Sequence, residues 1–380
     1  MTDTEIHVGG IATRTNPLGT DYGQAFDGAK AYFEMVNSKG GVYGRKIRLT
    51  SERDDQLSNN RQEAQALVSE DNVFAAVPVA PILFTGADVL AQAGIPTFGW
   101  NVDAGWSGKD NLFGNVGAIC FDCASAKLPL LAQRLHKMRV AILAYTAPQS
   151  ADCAKSFSDS LEKYPVAKVV VDDRALMFGV TDLSADVQQM KDQKADLVAT
   201  CMDQNGVLTL AREMKKQGVN AVQYLSNAYD HDFIKQYGDL FDGSYVTTPF
   251  APFETRPRPA GLKEFDRWTK KTGAKQTELA VYGWVAADQF VQGLKAAGPD
   301  FTRQKVIDAL NAVKAYDASG LIPPIDWTVQ HRDQVDTACQ ALTKIENGKF
   351  VPVFGSAGKP FICFRNLPPK LAEANVEPRA

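Results

Sequence analysis

Apolar positions along the chain alternate between the spacing typical of strands and the spacing typical of helices. Residues 6–11 alternate as a short strand, and the apolar side chains of 22–37 recur at intervals of a helical turn. Gly40 and Gly41 end that helix, and the pattern then predicts a strand at 46–51 and a helix at 60–69. A strand, helix, strand order is therefore established at the start of the chain.

The same alternation continues to about residue 245. The pattern predicts further strands at 73–79, 96–99, 140–145, 169–171, 197–201 and 222–225, and helices at 85–93, 124–136, 152–163, 183–193 and 207–217. Strands that alternate with helices favour parallel sheets covered by helices on both faces. The predicted fold class is α/β, with doubly wound parallel sheets.

Beyond residue 245 the pattern changes. Proline-rich segments occur at 248–252 and 256–259, and three helices are predicted after them, at 260–271, 280–297 and 303–313. Two alternating runs within 335–354 flank an Asn-Gly pair, which is typical of a hairpin turn. At 380 residues, the chain is long enough for two domains.

Composition excludes several classes of protein. With 45% hydrophobic and 22% charged residues, the chain is neither disordered nor fibrous. A net charge of −3 provides no broad positive field for nucleic acid, and no apolar run is long enough to span a membrane. The first residues have neither the basic nor the apolar part of a secretion leader, so an exported form would require a leader absent from this sequence.

Sequence signatures of catalysis and cofactor binding are largely missing. There is no glycine-rich dinucleotide or P-loop motif and no nucleophile elbow, and four histidines give little material for a catalytic triad or a zinc site. We therefore expect no enzyme activity, no cofactor and no metal. The alternative is a thiol oxidoreductase that uses Cys120 and Cys123, although a disulfide or buried thiols at a domain junction explain that CxxC motif better.

Two glycine-containing segments and a short tripeptide carry a resemblance to a known family. The segments are 18–29, which ends in Gly28-Ala29, and 36–47, which contains Asn37-Ser38-Lys39-Gly40-Gly41. The tripeptide is Gly94-Ile95-Pro96. Together they resemble the branched-chain amino-acid-type (type I) periplasmic substrate-binding proteins of ABC transporters.

The resemblance implies two doubly wound lobes joined by three crossings. Lobe 1 would take residues 1–118 plus 249–329, and lobe 2 would take 119–248 plus 330–380. The protein would be a monomer in the periplasm or at the cell surface, and it would capture a small ligand by interlobe closure and deliver it to an ABC permease and its ATPase. Cys339 and Cys363, which lie on neighbouring terminal segments, are the predicted disulfide pair.

Ligands in such folds bind at the carboxyl ends of the strands. Amino-acid-binding members have a serine after the third strand and an acid in the second lobe, whereas this chain has Ala80-Pro81 and Ala228 near those positions. Asp203 or Asp230 could still bind an ammonium group. Aromatic residues near the strand ends instead favour a ligand with an apolar or aromatic body. The candidate ligand-binding residues are Tyr22, Ala80, Pro81, Phe84, Trp100, Asn101, Asp103, Tyr145, Gln149, Asp203, Asn205, Tyr229 and Phe250.

Two functional alternatives remain within the same fold. One is a ligand-sensing domain of a regulator or receptor, and the other is an amino-acid-binding member of the transport family. The sequence itself distinguishes these only weakly from the uptake of an apolar or aromatic compound.

Overall fold

The computed structural model describes residues 1–116, 120, 122–331 and 339–364. The chain divides into two compact units, Met1–Ile119 with Pro259–Val335 (unit 1) and Cys120–Arg258 with Asp336–Ala380 (unit 2). Residues 249–258 are predicted to belong to lobe 1, whereas the structure groups them with unit 2. Phe250 and Phe253 explain this grouping, because both pack against Tyr229 of unit 2.

Strands and helices alternate through most of the described chain. The strands are β1 (Glu5–Ala12), β2 (Lys46–Asp54), β3 (Ala75–Ala80), β4 (Thr97–Gly99), β5 (Leu112–Gly114), β6 (Arg139–Tyr145), β7 (Lys168–Leu176), β8 (Leu197–Cys201), β9 (Val222–Leu225), β10 (Tyr245–Thr248), β11 (Cys339–Glu346), β12 (Lys349–Pro352) and β13 (Ile362–Cys363). The helices are α1 (Gln24–Ser38), α2 (Asn60–Ser69), α3 (Ala87–Gln92), α4 (Lys127–Arg134), α5 (Pro148–Lys163), α6 (Ser184–Asp192), α7 (Gln204–Gln217), α8 (His231–Phe241), α9 (Ala260–Thr272), α10 (Glu278–Ala297) and α11 (Arg303–Asn311).

Unit 1 is built on a parallel sheet with strand order β2-β1-β3-β4-β5. β3 is buried along its whole length, as expected for a central strand covered on both faces. In this order the connections reverse direction between β1 and β3. Doubly wound sheets bind ligands outside the carboxyl ends of the strands at such a switch point.

Helix α10 is apolar on nearly every side and packs against α1, β3 and α11. Two glycines allow its close approach to α1. A Cβ atom on Gly28 would lie 1.8 Å from the carbonyl oxygen of Ala280, and one on Gly283 would lie 1.7 Å from that of Ala25. The close packing of α1 against α10 therefore explains the glycine of the Gly28-Ala29 pair in the segment 18–29.

Unit 2 repeats this arrangement and extends it. Its parallel strands follow the order β7-β6-β8-β9-β10, so its switch point lies between β6 and β8. The carboxy-terminal strands add an antiparallel edge, in which β11 pairs with β10, β12 and β13. β11 and β12 form the predicted hairpin, and Asn347 and Gly348 both have positive φ at its turn.

The α/β fold with two doubly wound units is confirmed, whereas some element bounds are corrected. β5 is not predicted by the sequence pattern because only three residues form it. β7 runs five residues past its predicted end at residue 171, to Leu176. Its second half is polar because β7 is an edge strand of its sheet, and an edge strand need not follow the buried pattern. No helix among the described residues combines the length and the apolar character needed to cross a membrane.

An acidic pair in unit 2 makes its stability depend on pH. Burial, followed by the hydrogen bond to Asp173, raises the pKa of Asp186 to about 6. Because the folded state holds this proton more tightly than the unfolded chain does, the contribution to stability is present at low pH and is lost as pH rises through about 6. The pair is partly exposed, so we expect a loss of only about 1 kcal/mol between pH 5 and pH 8.

Asp186→Asn should abolish this loss, as measured by urea unfolding across the same pH range. Asp182→Asn is the matched control, because hydrogen bonds from Ser184 lower the pKa of Asp182 and its titration lies outside the window. An Asp186→Asn protein that keeps the wild-type slope between pH 5 and pH 8 would contradict the assignment.

Candidate functional site

The loop after β1 is fixed at the switch point of unit 1 by two acids, Asp54 at the end of β2 and Asp55 directly after it. Asp54 accepts hydrogen bonds from the backbone N–H groups of Arg14 (3.0 Å) and Thr15 (3.2 Å), and from the Thr15 hydroxyl (2.7 Å). Asp55 is buried, and burial raises its pKa. Its carboxyl group accepts hydrogen bonds from the side chains of Asn60 (2.9 Å) and Thr13. Asp54 and Asp55 thus shape the loop.

Three aromatic rings stack at the carboxyl edge of the unit 1 sheet. Trp100 follows β4 directly and stacks on both Tyr22 and Tyr282, with ring centroids 5.2 Å and 5.9 Å away. The planes are nearly parallel, at 25° and 20°. Both tyrosines are buried and Trp100 is partly exposed. We call these three residues the aromatic stack.

The aromatic stack is held by polar contacts at the start of α10. The Tyr282 hydroxyl donates to the carboxylate of Glu278 in the first turn of that helix. Burial, followed by the negative charge of Glu278, raises the pKa of Tyr282 well above its ordinary value, while a hydrogen bond with Trp100 opposes the rise. Tyr282 therefore remains a neutral phenol at ordinary pH.

The end of β3 presents no polar side chain beside this edge. Ala80 and Pro81 are both buried, and the Ala80 carbonyl accepts the backbone N–H of Thr13 at 3.3 Å. The Thr13 hydroxyl in turn accepts the N–H of Ile82 at 3.0 Å. Phe84, a predicted ligand contact, instead packs against Trp106 (centroids 4.8 Å apart) in the core of unit 1.

Two predicted polar contacts of unit 1 have structural roles. Asn101 is buried, and its Oδ1 accepts the N–H of Val116 at 3.2 Å. Asp103 caps a short 3₁₀ helix, Ala104–Trp106, by accepting the N–H of Gly105 at 2.7 Å. These contacts orient the loop that follows Trp100.

Tyr145 and Asp203 meet at the switch point of unit 2. The Tyr145 hydroxyl donates to Asp203, which also caps α7 by accepting the N–H groups of Asn205 (3.3 Å) and Gly206 (3.2 Å). A Cβ atom on Gly206 would lie 2.1 Å from the Tyr145 hydroxyl oxygen, so glycine is required there. Gln149, partly buried in the first turn of α5, and Asn205, exposed in the first turn of α7, lie at the same edge.

A disulfide between Cys153 and Cys201 lies directly behind these strand-end residues. Ser150 reinforces it, because its hydroxyl accepts the N–H of Tyr145 at 2.9 Å and donates to the carbonyl of Cys201 at 2.5 Å. The start of α5 and the ends of β6 and β8 are thus joined together.

Tyr229 and Phe250 lie in an aromatic cluster in the interior of unit 2. The Tyr229 hydroxyl donates to Glu254 (2.7 Å) and accepts the N–H of Phe253 (2.7 Å). Its ring lies 4.5 Å from that of Phe350 and 5.6 Å from that of Phe250. Both predicted contact residues are buried by tertiary packing, which favours a role in the core.

The six cysteines form three disulfides. Cys339 pairs with Cys363, the pair expected from the sequence, and Cys120 pairs with Cys123. Asp122 lies close to the latter pair, but sulfur atoms joined in a disulfide are not thiolate ligands for a metal. The oxidised CxxC is therefore the disulfide, one of the two structural forms that the sequence leaves open.

The structure thus brings the predicted residues together in two groups. Tyr22, Ala80, Pro81, Trp100, Asn101 and Asp103 lie at the carboxyl edge of unit 1, and Tyr145, Gln149, Asp203 and Asn205 lie at that of unit 2. The candidate set omits Tyr282, which stacks on Trp100. It also omits Phe178, whose ring lies 4.7 Å from that of Tyr145. The signal for Phe178 is an apolar Met177-Phe178 pair before a glycine in a polar segment.

A family model and a curated relative each match most of this chain. The family described as periplasmic binding protein matches residues 5–349. The Leu/Ile/Val-binding protein homolog 7 of Brucella abortus (strain 2308) is 23% identical over 349 residues, which are 83% of this chain and 79% of that protein.

Solved structures share the fold at low sequence identity. The substrate-binding protein LivJ from Streptococcus pneumoniae, in complex with isoleucine, has a TM-score of 0.73 and 19% identity over 92% of this chain and 100% of that one. A fatty acid ABC transporter substrate-binding protein from Thermomonospora curvata has a TM-score of 0.75 and 18% identity over 98% of this chain and 95% of that one.

Proposed function

Because the chain belongs to the periplasmic binding protein family, we propose that it is the solute-binding component of an ABC importer and captures a small organic ligand with an apolar or aromatic body. The family and fold are those of solute-binding proteins and not of enzymes, and the family implies an extracytoplasmic location. The observation that carries the ligand class is the aromatic stack at the carboxyl edge of unit 1.

The aromatic stack suits an apolar or aromatic ligand for a geometric reason. Tyr22 and Tyr282 both stack on Trp100, so contacts within the fold fix the orientation of the indole. A preoriented ring loses little side-chain entropy when a ligand packs against it. The indole remains partly exposed and therefore has surface available for contact.

The missing polar anchors limit the charge of the ligand. Ala80 and Ala228 are buried alanines near the positions where amino-acid-binding members have a hydroxyl and an acid. An unpaired charge enclosed by protein costs roughly several kcal/mol, so a zwitterion is disfavoured here. A fatty acid combines an apolar chain with a single charge, and the fold of the Thermomonospora curvata protein named for that ligand is shared by this chain.

The transport role extends to partners and motion. We propose that the protein acts as a monomer in the periplasm or at the cell surface, that the two units close on the ligand, and that the loaded form docks on an ABC permease served by its ATPase. Small-angle scattering should show a smaller radius of gyration at saturating ligand. An unchanged radius with a ligand of proven affinity would contradict closure.

Calorimetric titration with phenylacetate, octanoate and leucine tests the ligand class. We expect heat from phenylacetate or octanoate and weak or no binding of leucine. Micromolar binding of leucine with no heat from the two acids would overturn the proposed class. That result would favour the amino-acid-binding alternative, which the Leu/Ile/Val-binding relatives suggest.

Trp100→Ala should weaken binding of whichever acid binds by about 1–3 kcal/mol, because the indole surface in contact with the ligand is lost. Calorimetry gives the affinity, and a thermal melt of the unliganded protein checks the fold. Trp100→Phe is the matched control and should retain most of the affinity, since it keeps an aromatic face. Unchanged affinity in Trp100→Ala would show that the aromatic stack does not contact the ligand.

A further inference from the structure

Two adjacent apolar side chains are exposed at the carboxyl edge of the unit 2 sheet. Met177 is 68% exposed and Phe178 is 39% exposed. Among the described residues, they are the only large exposed hydrophobic residues that are neighbours in sequence; the set is Met1, Tyr43, Met138, Met177, Phe178, Val329 and Val351. Single exposed apolar residues are common, whereas an adjacent pair at a strand end calls for an explanation.

The register of β6 and β7 fixes where this pair lies. Leu176, the last residue of β7, pairs with Tyr145, the last residue of β6, and its carbonyl accepts the N–H of Thr146 at 2.9 Å. The two strands are parallel, so Met177 and Phe178 leave the sheet at the same edge as Tyr145. They are therefore next to the switch point of unit 2, where ligands of doubly wound sheets bind.

The pair is held in place by its surroundings. A hydrogen bond from the N–H of Val180 to the carbonyl of Met177 (3.2 Å) closes a turn, and Gly179 adopts a positive φ of 75° within it. The Phe178 ring packs on Tyr145 at 4.7 Å, and the Tyr145 hydroxyl is tied to Asp203. The turn is thus ordered and the Phe178 ring packs against Tyr145, while the side chains of Met177 and Phe178 remain exposed to solvent.

We propose that Met177 and Phe178 form the apolar contact of unit 2 with the ligand and set the preference for an apolar body, with Tyr145 supporting Phe178 from behind. This inference rests on the proposed solute-binding function and adds specificity-determining residues to it. Phe178 offers a partly exposed ring, whereas Tyr145 is buried beneath it. Thioether and phenyl groups together suit an alkyl chain or an aromatic ring and provide no partner for a second charge.

Calorimetric titration of phenylacetate, octanoate and leucine into the full-length variants tests this proposal. We expect Phe178→Ala and Met177→Ala each to raise the Kd of the bound acid, with a rise of about ten-fold for Phe178→Ala, because a ring that becomes buried on binding is lost. Phe178→Leu should retain intermediate affinity. Met138→Ala is the matched control, because Met138 is 59% exposed and precedes β6 at the opposite edge of the same sheet.

The possible outcomes separate the two proposals. If the wild type binds an acid and Phe178→Ala binds it as well as Met138→Ala does, the inference is overturned and the solute-binding function stands. If the wild type binds only leucine and Phe178→Ala weakens that binding, Met177 and Phe178 are ligand contacts and the proposed ligand class is wrong. If none of the three probes binds the wild type, the proposed ligand class and the role of Met177 and Phe178 as ligand contacts are both contradicted. Thermal melts of all variants should agree within about two degrees, because the replaced side chains are exposed.

Discussion

Removal of the Cys153–Cys201 disulfide is expected to lower the free energy of unfolding by about 4 kcal/mol, according to the chain-entropy estimate for the loop that it closes. The two cysteines are 48 residues apart and join α5 to the end of β8. Without the covalent link, the unfolded chain gains the conformations that the closed loop forbids. Urea unfolding of the Cys153→Ala/Cys201→Ala double variant under oxidising conditions measures the loss.

The Cys120–Cys123 disulfide provides the matched control, because its sequence separation is only 3. The same estimate gives about 1.5 kcal/mol for the Cys120→Ala/Cys123→Ala double variant. Equal losses from the two double variants would contradict the loop-length argument.

Gly283→Ala is expected to cost about 3 kcal/mol, at the upper end for overpacking in a protein interior. The added methyl group would lie 1.7 Å from the carbonyl oxygen of Ala25, so α1 and α10 must move apart. That shift disturbs the buried face of α10 and, through Tyr282, the aromatic stack. Chemical denaturation gives the stability, and near-ultraviolet circular dichroism of Trp100 and its neighbours should change with it.

Gly293→Ala is the control on the same helix. A methyl group there would meet side-chain atoms and no backbone carbonyl: Cδ1 and Cγ of Leu310 at 2.7 Å and 2.9 Å, and Cγ1 of Val306 at 3.0 Å. Alanine also favours helix formation over glycine by about 1 kcal/mol, which offsets part of the packing cost, so the net loss should be well below that of Gly283→Ala. If Gly293→Ala destabilised the protein as much as Gly283→Ala, close backbone approach would not be the cause.

The sequence predicted the architecture because the architecture depends on local periodicity. Buried strands such as β3 and amphipathic helices such as α7 carry their burial pattern in consecutive residues. The sequence pattern predicts too short a β7, because the second half of this edge strand is polar. Asp172 and Arg174, for example, form an ion pair at the surface there. Edge position is decided by strand order, which the local pattern does not encode.

The candidate site was predicted less well because it depends on contacts between distant segments. Tyr282 reaches Trp100 from a helix far along the chain, and no local signal links the two. The burial of Phe84 and Phe250 likewise follows from tertiary packing. The capping roles of Asp103 and Asp203 do have a local sequence signal, because an aspartate just before a helix start is a common cap.

The carboxy-terminal edge of unit 2 has a consequence for the order in which the protein can fold. Each unit receives an essential element late in synthesis: unit 1 lacks α10 until Ala297 has emerged, and β10 lacks its partner β11 until Glu346 has. Until then β10 is an open strand edge, able to pair with other chains. Pairing between such distant segments is intrinsically slow. Completion of the unit 2 sheet therefore waits for the synthesis of β11, and the nascent chain passes through a period in which holdase chaperones would protect it from aggregation.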